Sequence, residues 1–321
     1  MYTVILSSFL LFFVLPVQAI EKYHMKTAEI TDGDIVFASE EDFEEVLRVG
    51  FFRIKRPDYI NVMPGRDFAR TFNNNPKYVN FGANGSFLGY LLSSNAQVIR
   101  FVLEREFWGT KGWDTLPENK DPNLPPAVQL MAHQMHELGV FTLRKIMHKF
   151  DLPEKLWGKA TAGVVDNRGS SYLAFNLYDP SVISSHAAFD APGQDAHTDW
   201  GYLTILDVVQ EGLEAEIDGQ WRPLHLEDGY FTVNFGEPLQ KLLPGVNACK
   251  HRVVRQTNKV RTSIVLFLDP REGPYRDTPS EVGMVWDWDP VKRKLVNPIE
   301  ATTYLSELSS QLYGQLATSE G

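Results

Sequence analysis

The sequence has a single cysteine, Cys249, among its 321 residues. One cysteine cannot form a disulfide within the chain. Cys249 precedes His251 by two residues, so in a strand the two side chains would share a face and a thiolate ligand would be conceivable. Free cysteines are, however, among the residues most often buried. We therefore predict that Cys249 is a small core residue.

The chain is also poor in basic residues. It has 31 Lys and Arg against 41 Asp and Glu, which gives a formal net charge of -10. The triplet 292–294 (KRK) is a short basic run typical of a solvated turn. Nucleic-acid partners require clusters of Lys and Arg that neutralise phosphates. The composition therefore excludes nucleic acid as the expected partner and favours a small-molecule substrate.

The apolar run near the amino terminus is short. Residues 4–17 read VILSSFLLFFVLPV, whereas a membrane-spanning helix needs about 20 apolar residues. The run suits the core of a signal peptide cleaved after Ala19, although residues 1–3 carry no Lys or Arg. Alternatively, the functional protein starts at Met25, and the upstream residues are a targeting segment or an extension. Both interpretations place residues 1–24 outside the fold, with no stable membrane span.

Neither an internal repeat nor a low-complexity linker divides the rest of the chain. We expect one domain over residues 25–321, acting as a monomer. Its parts would be a helical and mixed segment at 25–160, a β-rich core at about 161–271 and a helical segment at 272–321.

Two helices are predicted from capping and periodicity. Ser39 followed by three acidic residues is typical of a helix start, and Gly50 of a helix end. Residues 127–150 carry apolar side chains at helical spacing. After Trp157 the pattern changes to short apolar segments separated by turn residues, at 172–178, 202–207, 229–235 and 263–268. Short strands at such intervals indicate a β-sandwich or jelly roll.

His197 and Asp199 are two residues apart. In an extended segment this spacing directs both side chains to one face. His251 follows 54 residues after His197, and two histidines with one carboxylate leave three positions open on an octahedral iron(II) ion. Ten residues later, Arg261 and Ser263 also share a face and can converge on one carboxylate.

With these residues in place, the chain resembles the iron(II)/2-oxoglutarate-dependent dioxygenases of the isopenicillin-N-synthase-like superfamily. The resemblance implies a mainly β fold with flanking α-helices, namely a distorted double-stranded β-helix, or jelly roll. It also implies iron(II) bound by His197, Asp199 and His251, with 2-oxoglutarate as co-substrate and O2 as oxidant. The motifs that carry it are Asn176–Pro180, His197–Thr204, Gly229–Gly236, His251–Val254 and Arg261–Ser263 leading to Pro270.

The same resemblance implies how 2-oxoglutarate is held. Arg261 and Ser263 would bind its distal carboxylate, Tyr178 would hydrogen-bond to that carboxylate, and Asn176 would lie near the keto-acid end.

The expected reaction is oxidation of an unactivated C–H bond in a small, amino-acid-derived molecule of secondary metabolism, by hydroxylation, desaturation or oxidative cyclisation. Because iron(II) and 2-oxoglutarate are cytosolic reagents, a cytoplasmic or organellar location is expected, with export as the alternative. The alternatives in function are an isopenicillin-N-synthase-type oxidase that does not use 2-oxoglutarate and a non-catalytic jelly-roll binding protein. Candidate pocket walls are Arg168, Tyr172, Ala174, Phe267 and the loop with Asn84 and Phe87.

Overall fold

The structure is a computed structural model that describes residues 21–81, 89–92, 97–104, 124–183, 192–256, 259–271 and 283–308. The helices are α1 (Glu40–Val49), α2 (Met63–Thr71), α3 (Pro76–Val79), α4 (Pro126–Lys149), α5 (Trp157–Ala160), α6 (Pro180–Ile183) and α7 (Glu237–Leu242). The strands are β1 (Thr27–Thr31), β2 (Asp34–Phe37), β3 (Phe51–Lys55), β4 (Gly89–Leu92), β5 (Ile99–Glu104), β6 (Tyr172–Tyr178), β7 (Gln194–His197), β8 (Leu203–Asp207), β9 (Leu213–Ile217), β10 (Gln220–Pro223), β11 (Tyr230–Phe235), β12 (His251–Val253), β13 (Arg261–Leu268), β14 (Met284–Asp289) and β15 (Lys294–Glu300).

Two sheets form the body of the fold. The larger has the strand order β2-β1-β3-β11-β8-β13-β6-β5-β4, and the smaller has the order β10-β9-β12-β7. From β6 to β13 the chain crosses repeatedly between the two sheets, with β9 and β10 forming a hairpin in the smaller one, so most neighbours within a sheet are distant in sequence. This mainly β architecture with flanking helices matches the predicted fold class.

The two predicted helices are present. Ser39 caps α1 through its hydroxyl, which accepts a hydrogen bond from the Asp42 N–H at 3.2 Å. Gly50 ends the helix with a φ of 80°, and a Cβ at this position would lie 2.5 Å from the Asn247 carbonyl oxygen. Only glycine fits both requirements. The long helix predicted at 127–150 is α4.

The larger sheet has one face covered by α2 and α4. Alternate residues of its central strands, including Phe175 and Phe101, are fully buried on this face. Phe68 of α2 packs edge-on against both rings, at centroid distances of 4.6 and 5.7 Å. Because side chains alternate along a strand, the intervening residues point to the opposite face, toward the smaller sheet.

Residues 21–24 belong to the fold, which corrects the prediction that all of residues 1–24 lie outside it. The Tyr23 N–H donates to the Pro223 carbonyl at 2.8 Å, and its ring lies 5.6 Å from that of Phe51. The Tyr23 hydroxyl donates to Glu45. Residues 1–20, with the predicted signal sequence, lie outside the described residues. In the part of the chain that is described, every helix is too short or too polar to cross a membrane.

The carboxy-terminal part differs from the predicted helical segment. Strands β14 and β15 form an antiparallel hairpin, and residues 301–308 are helical after it. Val285, Trp286 and Trp288 are residue types enriched in strands, and the Lys292 N–H donates to Asp289 Oδ1 in the turn. The leucine periodicity further along the chain led the prediction to extend a helix back over this hairpin.

Candidate metal centre

His197, Asp199 and His251 meet between the two sheets. His197 ends β7 and His251 begins β12, and the two residues stand directly opposite each other in the antiparallel pair. Asp199 lies in the turn after β7, where its Oδ1 is 3.6 Å from His197 Nε2 and 3.8 Å from His251 Nε2. One ligand atom from each residue lies within 4.8 Å of the other two. Spacing and strand register therefore bring the three predicted ligands together.

Hydrogen bonds orient each of the three groups. His197 Nδ1 lies 2.7 Å from the Asp195 carbonyl oxygen, and His251 Nδ1 lies 3.1 Å from that of Cys249. Because a carbonyl only accepts, each Nδ1 is the donor and each Nε2 is left as a lone-pair ligand. Asp199 Oδ2 accepts hydrogen bonds from Thr204 Oγ1 at 2.6 Å and Asn234 Nδ2 at 2.7 Å. Asp199 therefore presents Oδ1 to the centre of the cluster.

The electrostatics keep the cluster ready to bind a cation. Burial and the neighbouring His251 lower the pKa of His197 to about 4, so its imidazole is neutral at neutral pH. Burial alone would raise the pKa of Asp199, but the two histidines and the hydrogen bonds from Thr204 and Asn234 outweigh it and lower that pKa. Two imidazoles and one carboxylate are the donor set that suits iron(II) with open coordination positions.

The start of α7 forms hydrogen bonds with the turn that contains Asp199. The Thr198 hydroxyl donates to Glu237 Oε1 at 2.8 Å, and the Glu237 N–H donates to the Asp199 carbonyl at 3.0 Å. A Cβ on Gly236 would lie 2.1 Å from the Gly201 carbonyl oxygen. The close approach that fixes the turn therefore requires glycine at this position.

Cys249 is buried, as predicted, and lies outside the ligand group. Burial, together with the nearby Asp199 carboxylate, raises the pKa of its thiol. A neutral thiol is a poor metal ligand. The contribution of Cys249 to the site comes from its backbone carbonyl, which orients His251.

A second cluster lies on the inner face of the larger sheet. Strands β6 and β13 are antiparallel, with Arg261 opposite Tyr178 and Ser263 opposite Asn176. Asn176 Nδ2 donates to Ser263 Oγ at 3.2 Å, and the Arg261 guanidinium carbon lies 4.7 Å from the centroid of the Tyr178 ring. The four residues predicted to hold 2-oxoglutarate are therefore neighbours on one face.

Arg261 is the most informative member of this cluster. Its side chain is 1% exposed, and its Nε and Nη1 have no hydrogen-bond partner among the described residues. Burial lowers its pKa, which Tyr178 only partly offsets. A buried cation is costly unless it is paired. The unpaired donors therefore fit an incoming carboxylate, such as that of 2-oxoglutarate.

The predicted substrate residues divide into two groups. Tyr172 and Phe267 stand opposite each other on the same inner face, and Ala174 stands there opposite Val265. Arg168 instead lies in an exposed turn after the 3-10 segment Val164–Asp166. The loop with Asn84 and Phe87 lies outside the described residues.

Sequence reasoning did not identify three residues of this inner face. Thr204 and Asn234 hydrogen-bond to Asp199, and Arg100 of β5 stands opposite Asn176. The β5 sequence IRFVLE, in which Arg100 stands between the apolar residues Ile99 and Phe101, was a usable signal. It would have directed Arg100 to the face opposite the buried Phe101.

We predict that Asn234→Ala weakens iron(II) binding by about 10- to 100-fold, the usual effect of losing a partner that orients a metal ligand. Competition with a coloured chelator under anaerobic conditions measures this. Thr232→Val is a matched control, since it removes a hydroxyl two residues away on the same strand and leaves the Asp199 partners in place. Equal iron affinity in the Asn234 variant and the control would contradict the orienting role.

A mainly β fold of two facing sheets with a two-histidine, one-carboxylate cluster defines a class: the non-haem iron oxygenases. Residues 170–270 match the model of the 2OG-Fe(II) oxygenase superfamily. The region contains the three candidate ligands and all four residues of the second cluster.

Individual proteins extend the comparison. Protein DOWNY MILDEW RESISTANCE 6 of Arabidopsis thaliana is 31% identical over 161 residues, which are 48% of this chain and 45% of that protein. The chain thus spans less than half the length of the first curated relatives that it matches.

Two solved structures show the fold. A full-length Neurospora crassa protein in complex with alpha-KG has a TM-score of 0.61 at 16% identity, covering 87% of this chain and 97% of that one. The rice dioxygenase for auxin oxidation has a TM-score of 0.62 at 19% identity, and the match covers 89% of this chain and 95% of that one. The predicted jelly roll is therefore confirmed.

Proposed function

We propose that this protein is an iron(II)- and 2-oxoglutarate-dependent oxygenase that oxidises an unactivated C–H bond of a small molecule. The observation that carries the proposal is a metal-binding cluster between the two sheets together with the buried Arg261 on the inner face of the larger sheet, whose Nε and Nη1 have no hydrogen-bond partner among the described residues. The cluster alone would fit any iron oxygenase. The arginine adds a requirement for an anionic co-substrate.

Each group has a role that follows from its surroundings. His197, Asp199 and His251 would hold iron(II), which when bound supplies the activation of O2. Arg261 and Ser263 would bind the distal carboxylate of 2-oxoglutarate, with the Tyr178 hydroxyl as a further donor. Asn176 would lie toward the keto-acid end. The flanking apolar residues exclude water, which strengthens each of these polar contacts.

An oxidase of the isopenicillin-N-synthase type is the main alternative, in which Arg261 and Ser263 would hold a substrate carboxylate. Tyr178 and Asn176 beside this pair favour 2-oxoglutarate. The test is the amount of succinate formed per product. One succinate per product is expected, and product formed without succinate would exclude the co-substrate.

A non-catalytic binding protein is the second alternative. The hydrogen bonds that orient all three candidate ligands favour a working metal centre. Anaerobic addition of iron(II) and 2-oxoglutarate is expected to produce a weak visible charge-transfer absorption. Folded protein without this absorption would contradict the iron and 2-oxoglutarate site.

For the substrate, we propose a small amino-acid-derived metabolite bound against Tyr172, Ala174 and Phe267, with hydroxylation, desaturation or oxidative cyclisation as the outcome. Arg168, which is exposed, stays the alternative residue for a substrate carboxylate. A screen of such metabolites for stimulated succinate release tests this class.

The supply of both reagents in the cytosol favours a cytoplasmic or organellar location. The chain is further proposed to act as a single-domain monomer whose fold includes residues 21–24. Mass spectrometry of the native amino terminus and light scattering test these points. Cleavage after Ala19 would indicate export.

We predict that Arg261→Leu raises the 2-oxoglutarate concentration needed for half-maximal turnover by about 10- to 100-fold. This is the loss of affinity expected when hydrogen bonds to a charged group are removed. Iron content should not change, because Arg261 is not in the ligand cluster. Without 2-oxoglutarate the variant should unfold at the same or a higher temperature, since it removes a buried cation whose Nε and Nη1 have no hydrogen-bond partner among the described residues.

Ligand-induced stabilisation separates this role from a structural one. In the wild type, 2-oxoglutarate with iron(II) should raise the unfolding temperature, whereas in Arg261→Leu the rise should largely disappear. Arg70→Leu, on the exposed side of α2, is the control and should behave as the wild type. An unchanged 2-oxoglutarate requirement in Arg261→Leu would contradict the assignment.

A further inference from the structure

Arg100 occupies a central place on the inner face of the larger sheet. It stands opposite Asn176 in the β5–β6 pair, and Asn176 stands opposite Ser263 in the β6–β13 pair. Directly opposite residues in antiparallel strands point to the same face. Arg100 therefore extends the row of polar side chains by one strand beyond the 2-oxoglutarate cluster.

The Arg100 side chain reaches from the larger sheet to the smaller one. Its Nη2 donates to Gln194 Oε1, and Gln194 begins β7, three residues before His197. The guanidinium is thus a half-buried cation beside the metal cluster, on a different strand from Arg261.

The surface next to Arg100 is apolar. One step along the same face, Val102 stands opposite Ala174, and Ala174 stands opposite Val265. All three are buried. The following step is lined by the half-buried rings of Tyr172 and Phe267. A ligand lying along this face would meet a cation at one end and apolar and aromatic side chains along its length.

We propose that Arg100 determines substrate specificity by binding a carboxylate on a substrate whose body is apolar. This inference rests on the proposed function and names the substrate class of the same site. In this proposal Arg100, and not the exposed Arg168, is the residue that binds the substrate carboxylate. Guanidinium groups bind carboxylates through two parallel hydrogen bonds, and partial burial strengthens such a pair.

The test uses full-length protein loaded anaerobically with iron(II) and saturating 2-oxoglutarate. Saturation keeps Arg261 from binding the probes. Matched pairs of carboxylic acid and carboxamide, phenylpropanoate with phenylpropanamide and indole-3-acetate with indole-3-acetamide, are titrated while the visible absorption is followed. The proteins are the wild type, Arg100→Gln, Arg100→Lys, Arg168→Gln and the remote control Arg70→Gln, each checked for its fold by circular dichroism.

In the wild type, the acids are expected to bind at least about tenfold more tightly than the amides, as expected for hydrogen bonds to a charged group. This preference should disappear in Arg100→Gln, persist in part in Arg100→Lys and persist fully in Arg168→Gln and Arg70→Gln. Equal binding of acids and amides to the wild type would overturn the proposal, as would an acid preference that survives in Arg100→Gln or is lost in Arg168→Gln.

The visible absorption distinguishes failure of the Arg100 proposal from failure of the iron and 2-oxoglutarate site. If it forms in the wild type but responds equally to acids and amides, the oxygenase function stands and the carboxylate specificity is wrong. If it does not form in folded protein, the iron and 2-oxoglutarate site is wrong, and the proposal for Arg100 fails with it.

Discussion

Asp199→Ala is expected to abolish turnover and to release iron(II) from the protein. The substitution removes the anionic ligand of the cluster and leaves the two imidazoles, whose Nε2 atoms lie 3.6 and 3.8 Å from Asp199 Oδ1 in the wild type. It also leaves the buried donors Thr204 Oγ1 and Asn234 Nδ2 without their acceptor. Loss of an outer partner of a ligand typically costs about 10- to 100-fold in metal affinity, so loss of the ligand itself should cost more.

Iron content after desalting and succinate formation are the two measurements. Asp67→Ala is the control, because Asp67 is an exposed carboxylate on α2. It changes the net charge equally and should retain both iron and turnover. An Asp199→Ala protein that is folded, active and normally loaded with iron would show that a different carboxylate binds the metal.

The parts of the site that were predictable from the sequence are those set by local geometry. A separation of two residues places His197 and Asp199 together, and likewise Arg261 and Ser263, whatever the rest of the fold does. The resemblance then assigned Tyr178 to the distal carboxylate of 2-oxoglutarate and Asn176 to its keto-acid end, and the register of β6 against β13 places these two residues opposite Arg261 and Ser263. Strand period and motif order were sufficient for this much.

The features that were missed depend on pairing between distant segments. Arg100 joins the site only because β5 lies beside β6, which is more than 65 residues away in the chain. Tyr23 belongs to the fold only because it forms a β-bridge with Leu224 and a ring contact with Phe51, both distant in sequence. A single sequence carries the period of each strand but not its partner or register, and register decides which side chains face each other.

The same limitation concealed a buried ion pair on the opposite face of the larger sheet. Arg66 of α2 forms two parallel hydrogen bonds with Asp207 of β8, from Nε to Oδ2 at 2.7 Å and from Nη2 to Oδ1 at 2.8 Å. The Asp207 side chain is 1% exposed and that of Arg66 is 10% exposed. The pair joins the helical layer to the strand that leads from the Asp199 turn.

Arg66→Ala is therefore expected to lower the free energy of unfolding by about 3–5 kcal/mol, because it leaves the Asp207 carboxylate buried without its main partner. Arg56 Nη1 lies 3.6 Å from Asp207 Oδ1 and can partly compensate, which favours the lower end of this range. Urea unfolding of the metal-free protein measures the change. Arg70→Ala on the same helix is the control, since its pair with Asp67 is exposed and should be worth about 0–1 kcal/mol.

The double variant Arg66→Met/Asp207→Leu distinguishes an unpaired charge from a loss of packing. If the cost of Arg66→Ala arises from the isolated carboxylate, replacing both partners with apolar side chains should restore most of the lost stability. If the cost arises from the missing side-chain volume at the junction of α2 and β8, Asp207→Leu should add nothing to Arg66→Met. A stability of Arg66→Ala equal to that of Arg70→Ala would contradict the role of the pair altogether, and would imply that Arg56 alone is a sufficient partner for Asp207.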